Sequence, residues 1–191
     1  MRRSRRFDGL AIAAFAALLV FSFLSIPVRA DDAADKAAID KLFAQLKAAP
    51  DAETAHAIDQ QIFRMWISPS DPDLAGRMAA VLATEQTGNL PTAMMLVGKI
   101  IAQYPAYAEG WNQRATMEYQ LHDFDDSLAD IDKVLAIEPR HFGALSGRVL
   151  VYLAQDNRSE ALKAMIKALA VDPFLAEKAL FPELSVAKTQ A

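Results

Sequence analysis

Residues 108–141 read AEGWNQRATMEYQLHDFDDSLADIDKVLAIEPRH, and apolar side chains recur at helical spacing in two stretches of this segment. Apolar residues at i, i+3, i+4 and i+7 form one face of an α-helix, so the pattern predicts helices over 110–121 and 124–137. Pro139 follows the second stretch, and proline stops a helix because it lacks the backbone N–H that the next turn needs. The segment therefore predicts a pair of antiparallel helices.

The same pattern occurs three times at a fixed spacing. Prolines follow the second helix of each unit at Pro105, Pro139 and Pro173, which are evenly spaced along the chain. A two-residue turn separates the two helices of each unit. The first residue of that turn tolerates a positive φ, and the side chain of the second can cap the next helix by accepting hydrogen bonds from its free N–H groups. These turns repeat with the same period and comprise Gly88-Asn89, His122-Asp123 and Asp156-Asn157.

These residues resemble the pattern of the tetratricopeptide-repeat (TPR) family, whose helix-pair units recur with this same period. The middle unit carries that pattern as Trp111, Ala115, Ser127, Ile131 and Pro139. The resemblance implies an all-α solenoid of antiparallel helix pairs, with units at 74–107, 108–141 and 142–175.

Each unit also has a small residue where its two helices must approach closely. This residue is Ala93 in the first unit, Ser127 in the middle unit and Ala161 in the third. Departures from the family pattern are charged: Arg114 and Arg148 stand where leucine is usual, and Glu118 stands where tyrosine is usual. A charge at a packing position needs a partner. In repeats of the family subtype that this unit resembles, an arginine just before the small residue often accompanies an aspartate on the second helix, so the resemblance implies a partly buried pair between Arg114 and Asp130.

Two flanking segments are expected to close the ends of the stack. Residues 31–73 hold two more helical stretches, 33–48 and 52–67, which fit the repeat poorly. We interpret them as a degenerate helical pair that caps the first repeat through Phe63 and Trp66. At the other end, residues 176–191 hold a tail and part of a short capping helix predicted over 174–180, because a solenoid must cover its last apolar face.

Residues 1–30 have the three parts of a secretory signal peptide. A basic start, Met1–Arg6, precedes an uncharged, largely apolar run, Leu10–Ile26. Val28-Arg29-Ala30 then places small residues where a signal peptidase cleaves. The run also reaches the lower limit for crossing a bilayer, so an uncleaved membrane anchor is the alternative. Either case predicts a protein exported from the cytoplasm.

A second resemblance supports export. The segments Trp111–Thr116 and Glu138–Gly147 resemble a group of small exported TPR proteins of Gram-negative bacteria. That group combines a signal peptide, a divergent first helical pair and these repeats. The resemblance implies a periplasmic location but not an activity.

Composition excludes several classes of function. The chain has no cysteine, which excludes disulfides, thiolate metal sites and cysteine nucleophiles. Its net charge is −4, but five of its 20 basic residues and one of its 24 acidic residues precede residue 31, so the remainder carries −8. An acidic surface repels phosphate backbones, which argues against binding of nucleic acid.

No motif for catalysis is present, and we expect neither an enzyme activity nor a cofactor. There is no nucleophile elbow, phosphate loop or dinucleotide fingerprint in the chain. His56, His122 and His141 lack the spacing of metal ligands, so no metal is expected either. The carboxylates Asp123, Asp125 and Asp126 fit the positive end of a helix better than a calcium loop.

The family resemblance implies a concave surface lined by the first helix of each pair. Leu82, Leu150 and Leu153 on that surface could instead be packing residues. The surface has no lysine, so we expect no clamp for a terminal carboxylate, and we expect a neutral or basic segment with apolar anchors. The partner-binding positions transferred from the family are Met78, Leu82, Glu85, Glu109, Asn112, Thr116, Tyr119, Ser146, Leu150 and Leu153.

Three functions remain open from the sequence. The leading one is a periplasmic scaffold or adaptor that binds a partner protein or peptide on its concave surface. The second is a membrane-tethered TPR subunit of an envelope assembly complex, with residues 10–26 retained as an anchor. The third is an accessory enzyme domain whose site leaves no linear motif.

Overall fold

The computed structural model describes residues 30–186, and the secondary structure of this part is entirely helical. The predicted all-α solenoid of helix pairs is confirmed. Eight longer helices precede a short 3-10 helix, Ala176–Leu180, and a final short helix, α9 (Glu183–Val186). The eight are α1 (Ala30–Lys47), α2 (Ala52–Ile67), α3 (Pro72–Gln86), α4 (Leu90–Gln103), α5 (Ala108–Gln120), α6 (Phe124–Ile137), α7 (Phe142–Ala154) and α8 (Arg158–Val171).

The predicted signal peptide, residues 1–30, lies outside the described residues except for Ala30. Within residues 30–186, no helix combines the length and the hydropathy that crossing a membrane requires.

The turns inside the three units adopt the conformation that the sequence predicts. Gly88, His122 and Asp156 have φ values of 75°, 67° and 55°. These values lie in the left-handed region, which a tight turn between antiparallel helices requires and which most residues avoid. The predicted turns are confirmed at all three positions.

Capping after these turns follows the prediction in the first and third units and differs in the middle unit. Asn89 and Asn157 each accept a hydrogen bond at 3.3 Å, from the backbone N–H groups of Thr92 and Glu160. Asp123 makes no such bond, so the predicted side-chain cap is wrong there. Helix α6 instead has Asp125 and Asp126 in its first turn, where their charges favour the positive end of the helix.

The small residues lie where the helices of each pair meet. Ala93, Ser127 and Ala161 are buried, and the Ser127 hydroxyl donates to the backbone carbonyl of Ala115 at 2.8 Å. This bond satisfies a hydroxyl that would otherwise be buried without a partner, so serine is tolerated at a position that is alanine in the other units.

One apolar core runs through the three units. Trp111 packs against both the first unit's core, which contains Met78 and Val97, and the middle unit's core. Leu135 connects the middle unit to the third in the same way. This continuity makes each unit's stability depend on its neighbours, as expected for a solenoid.

The N-terminal helices α1 and α2 do not pack as the sequence analysis expects. Trp66 stacks on the imidazole of His141, with ring centroids 3.9 Å apart and planes 8° apart, and it also contacts Phe142. Phe63 is 41% exposed. The predicted packing of Phe63 and Trp66 onto the first repeat is therefore wrong. Helix α2 passes over the junction between the middle and third units, where His141 offers a flat ring that complements the indole.

The C-terminal cap is made of two short helices rather than the single helix predicted over 174–180. Phe181 lies between them, is fully buried and belongs to the third unit's core. Arg158 covers its ring at 5.0 Å and bonds to Glu183 at 2.9 Å. The cap thus shields the last apolar face of the solenoid.

Candidate functional site

A groove opens between the first helices of the middle and third units. Its walls come from α5 and α7, its floor comes from α6, and the C-terminal cap closes one side. The cavity has a volume of about 300 Å³ and is open to solvent. Its apolar walls include Ile131, Phe142 and Leu150, and its polar groups come from Asn112, Thr116, Tyr119, Ser127, Ser146 and Glu177.

Five of the predicted partner-binding residues lie together in this groove. Asn112, Thr116 and Tyr119 follow one another at i, i+4 and i+7, so they share one face of α5. Ser146 and Leu150 do the same on α7 and lie opposite them. The five side chains therefore line one cavity, and their contact with a partner stays a prediction.

Two of the predicted residues are buried in the core. Met78 is fully buried in the first unit because it packs with Val81 and Val97. Glu109 is 1% exposed, and its carboxylate is hydrogen-bonded to neighbouring side chains. Neither side chain reaches the surface, so the prediction of a partner-binding role is wrong for Met78 and Glu109.

The remaining three predicted residues lie outside the groove. Leu82 is half-buried against the core of the first unit, and Leu153 packs against the core of the third. These contacts favour the packing alternative for both leucines. Glu85 accepts a hydrogen bond from Gln120 at 3.2 Å, so it connects α3 to α5 near the surface.

The Glu109 carboxylate holds a buried polar network beneath the groove. It accepts from Gln113 at 2.5 Å, from Asn112 at 3.2 Å and from His141 Nε2 at 2.9 Å. The other ring nitrogen of His141, Nδ1, accepts from the backbone N–H of Ala144 at 3.2 Å. The imidazole is therefore neutral, with its proton on Nε2, and the network fixes the side chain of Asn112 at the groove wall.

Ser146 has an unusual environment at the groove wall. Its side chain lines the cavity and the residue is only 8% exposed, yet Oγ has no hydrogen-bond partner among the described residues. A buried hydroxyl without a partner costs about 1–3 kcal/mol. The residue lines the cavity, but Oγ itself has almost no accessible surface, so it can bond with a group in the groove only after the side chain turns.

One comparison shows which family contains these repeats. A TPR repeat-containing protein of Rhizobium etli is 37% identical to the chain over 139 residues, which make up 72% of this chain and 68% of that relative. The chain belongs to the tetratricopeptide-repeat family. Sperm-associated antigen 1 of Mus musculus is 31% identical over 87 residues, which cover 46% of this chain and 10% of the mouse protein. No protein-family profile matches the chain.

A solved structure has the same fold. A tetratricopeptide repeat protein from Parabacteroides merdae superposes with a TM-score of 0.51 at 19% sequence identity, over 77% of this chain and 57% of that structure. This similarity concerns the fold alone. In the TPR protein described here, α5 and α7 are first helices of their repeats, and such helices line the groove.

The middle TPR contains the ion pair that the sequence predicts. Arg114 donates to both oxygens of Asp130, at 2.5 and 2.7 Å, and the two side chains are 29% and 7% exposed. The predicted pair is confirmed. Glu118 lies beside it, 3.5 Å from Arg114 Nε, and burial together with the charge of Asp130 raises the pKa of Glu118 to about 7.

The groove of this TPR protein has a definite electrostatic character. Within the described part of the chain, its lining includes no lysine, arginine or histidine, and Glu177 supplies a negative charge at its edge. A carboxylate ligand would find no cation there, whereas a neutral or basic group would meet acceptors. The Ser146 hydroxyl also has no lining histidine that could act as a base, as a serine nucleophile would require.

Proposed function

We propose that this TPR protein is a periplasmic scaffold or adaptor that binds a segment of a partner polypeptide in the groove between α5 and α7. The observation that supports it most is the open cavity itself, where predicted binding residues of α5 and α7 come together and the Ser146 hydroxyl lies unpaired just beneath the surface. A peptide carries backbone donors and acceptors at regular intervals, so it can bond with Asn112 and Thr116 of the wall and place a side chain in the cavity at the same time.

The walls define the chemistry of that segment. Phe142, Leu150 and Ile131 offer an apolar surface, which favours an aliphatic or aromatic anchor. Glu177 at the edge and the absence of lining cations favour a neutral or basic neighbour for that anchor. We therefore propose an extended segment with one apolar anchor and a flanking lysine or arginine.

The periplasmic location is proposed from residues 1–30 and from the resemblance of the repeats to small exported TPR proteins of Gram-negative bacteria. The alternative is a membrane-tethered subunit of an envelope complex, in which residues 10–26 remain as an anchor. The mass of the mature protein and its release by osmotic shock distinguish the two. A mass that lacks the segment 1–30 and full release support the periplasmic scaffold, whereas a full-length, membrane-retained protein supports the tethered subunit.

Binding in the groove can be tested by photo-crosslinking in the native cell. A crosslinking residue at Tyr119 faces the groove, and the same residue at the exposed Lys133 on α6 is the control. Ser146→Leu fills the cavity, and Ser159→Leu makes the same change at an exposed position of α8.

We expect an adduct at Tyr119 that disappears with Ser146→Leu, persists with Ser159→Leu and is absent at Lys133. Circular dichroism of each variant confirms that the fold is retained. An adduct at Tyr119 that survives Ser146→Leu, or capture at Lys133 alone, would show that the groove is not the binding surface.

A further inference from the structure

The N-terminal helices α1 and α2, which we call the arm (Ala30–Ile67), are held against the repeats mainly by side chains. At one end, Trp66 stacks on His141 and its backbone carbonyl accepts from the Tyr107 hydroxyl. Along α1, Arg140 bonds to Asp40 at 2.6 Å and covers the ring of Phe43 at 4.3 Å. The arm is therefore a separate layer whose contacts with the repeats can be made or lost together.

In the middle of α2, two turns before Trp66, a carboxyl group of the arm lines the same cavity as a carboxyl group of the third repeat. Asp59 belongs to α2, and Asp172 is the residue that ends α8. Asp172 is 1% exposed, and its Oδ1 accepts from the backbone N–H of Phe174 at 2.8 Å. Oδ1 of Asp59 is buried and has no hydrogen-bond partner in the described part of the chain. No described cation pairs with either carboxyl group.

The other titratable groups near this contact do not neutralise it. On α2, His56 is hydrogen-bonded to Gln60 at 2.8 Å. On the C-terminal cap, Glu177 lines the same cavity and adds a further negative charge. The nearest arginine of the α6–α7 loop, Arg140, is already bonded to Glu138 and Asp40. Among the described groups no cation offsets the two negative charges, so protonation of one carboxyl group is what removes their repulsion.

We propose that Asp59 and Asp172 form a proton-controlled latch that fixes the arm to the repeats. When Asp59 is protonated, its hydroxyl group donates a hydrogen bond to the Asp172 carboxylate, and the contact holds α2 against the end of α8. When that proton leaves, two carboxylates face each other in a half-buried site and repel. The arm then opens more often.

The sign and size of the effect follow from linkage. In the docked arm the pKa of Asp59 is raised from 3.8 to about 7. Burial is the larger cause, and the negative charge of Asp172 is the second. A released Asp59 returns to its ordinary value. Docking is therefore strongest below pH 3.8, weakens about tenfold for each pH unit up to about 7, and is constant above that. Between pH 5 and pH 7.5 the opening equilibrium constant rises by up to about 70-fold, and solvent screening of the half-buried Asp59 reduces this to an increase of about tenfold or more.

The latch should also affect partner binding in the groove, and this part of the inference rests on the proposed function. A second cavity of about 340 Å³ lies beside Asp59 and Asp172, and Phe142, Leu175 and Glu177 line both this cavity and the groove. Because Phe142 also packs against Trp66 of the arm, release of the arm removes support from a wall of the groove. Partner binding should therefore vary with pH in the same range as docking.

Native-state hydrogen exchange of the purified protein tests the latch without a partner. The measured quantity is the opening constant of the α2 amides, corrected for the intrinsic effect of pH on exchange. We expect it to rise by about tenfold or more from pH 5 to pH 7.5, with about 70-fold as the upper limit. We also expect it to depend weakly on urea, because local opening exposes little surface.

Asp59→Asn is the decisive variant, because its amide donates to Asp172 at every pH and has the shape of the protonated acid. It should abolish the pH dependence in α2. Asp156→Asn makes the same change in an exposed turn and should leave the dependence intact. An α2 opening constant that does not change with pH in the wild type, or that changes equally in Asp59→Asn, would overturn the latch.

The effect of the latch on partner binding is measured in a separate experiment, as the yield of the Tyr119 crosslink at a series of pH values. A yield that varies with pH in the wild type and not in Asp59→Asn supports control of the groove by the latch. A yield that is equal in both while α2 exchange differs refutes that control and leaves the latch intact. Absence of any specific adduct in both proteins refutes the proposed function and does not bear on α2 exchange.

Discussion

The ion pair of the middle repeat makes a quantitative prediction. Arg114 and Asp130 share two charged hydrogen bonds, and Asp130 is almost fully buried. The third repeat provides a matched control, because Arg148 occupies the equivalent position of that unit. Its partner is Asp132, which is 73% exposed. Both pairs join an arginine to an aspartate, but Arg114 makes two bonds to a buried carboxylate and Arg148 makes one bond to an exposed carboxylate.

Arg114→Met should leave Asp130 as an unpaired carboxylate next to Glu118. Breaking a fully buried pair costs about 3–5 kcal/mol, and the partial exposure of Arg114 reduces this to about 2–3 kcal/mol. Asp130→Asn should cost less, about 1–2 kcal/mol, because Arg114 keeps Glu118 within 3.5 Å. The double variant should cost little more than Arg114→Met alone, which gives a coupling free energy of about 1–2 kcal/mol.

The assay is urea unfolding at pH 7.5, followed by circular dichroism, for each single and double variant. The matched cycle with Arg148→Met and Asp132→Asn should give a coupling below about 0.5 kcal/mol, because water screens an exposed pair. Costs that add within about 0.5 kcal/mol at Arg114 and Asp130 would refute the reasoning. Equal coupling in the two cycles would refute the role assigned to burial.

Two further predictions concern buried carboxyl groups. Burial and the charge of Asp130 hold the pKa of Glu118 at about 7, above its ordinary 4.5, so the wild type should lose up to about 3 kcal/mol as pH rises from 4.5 to 7. Glu118→Gln should lack this loss in urea unfolding at a series of pH values, and an unchanged pH slope would contradict the prediction. Glu109→Ala should lower the free energy of unfolding by about 2–3 kcal/mol, because it leaves His141 and Gln113 without an acceptor. Glu109→Gln keeps an acceptor and should cost less, so equal thermal unfolding of Glu109→Ala and the wild type would count against the network.

The repeats could be predicted from the sequence because their determinants are local. A positive φ at Gly88, His122 and Asp156 and a proline shortly after each second helix are properties of short segments. The constant period then brings equivalent segments into equivalent positions. The pairing of Arg114 with Asp130 was predictable for the same reason, since both residues lie in one helical pair.

The position of the arm could not be predicted because its determinants are distant in the sequence. Trp66 meets His141, and Asp59 meets Asp172, across separations that no period specifies. An apolar stretch in α2 predicts that one face is buried but not which surface covers it. The same limit explains the error at Glu109, whose place on α5 suggests a surface residue until His141 covers it.

The buried polar residues are not spread evenly through the solenoid, and their location bears on function. Of the nine buried polar or charged side chains in the described part of the chain, six lie in residues 108–141, from Glu109 to His141. Equivalent positions in the other repeats are mainly apolar or small, so the fold does not require these groups. Burying polar groups costs free energy unless every one is hydrogen-bonded, and apolar replacements are often as stable.

The benefit that offsets this cost lies in the groove. The Glu109 network fixes Asn112, and the Ser127 hydroxyl joins α6 to α5, so the polar core of the middle repeat supports the helix that carries Thr116 and Tyr119. An apolar core would stabilise α5 equally well but would leave the Asn112 amide free to rotate. The buried polar groups of the middle repeat therefore favour the proposal that α5 is held in one geometry as one wall of the groove, opposite the wall that α7 of the third repeat supplies.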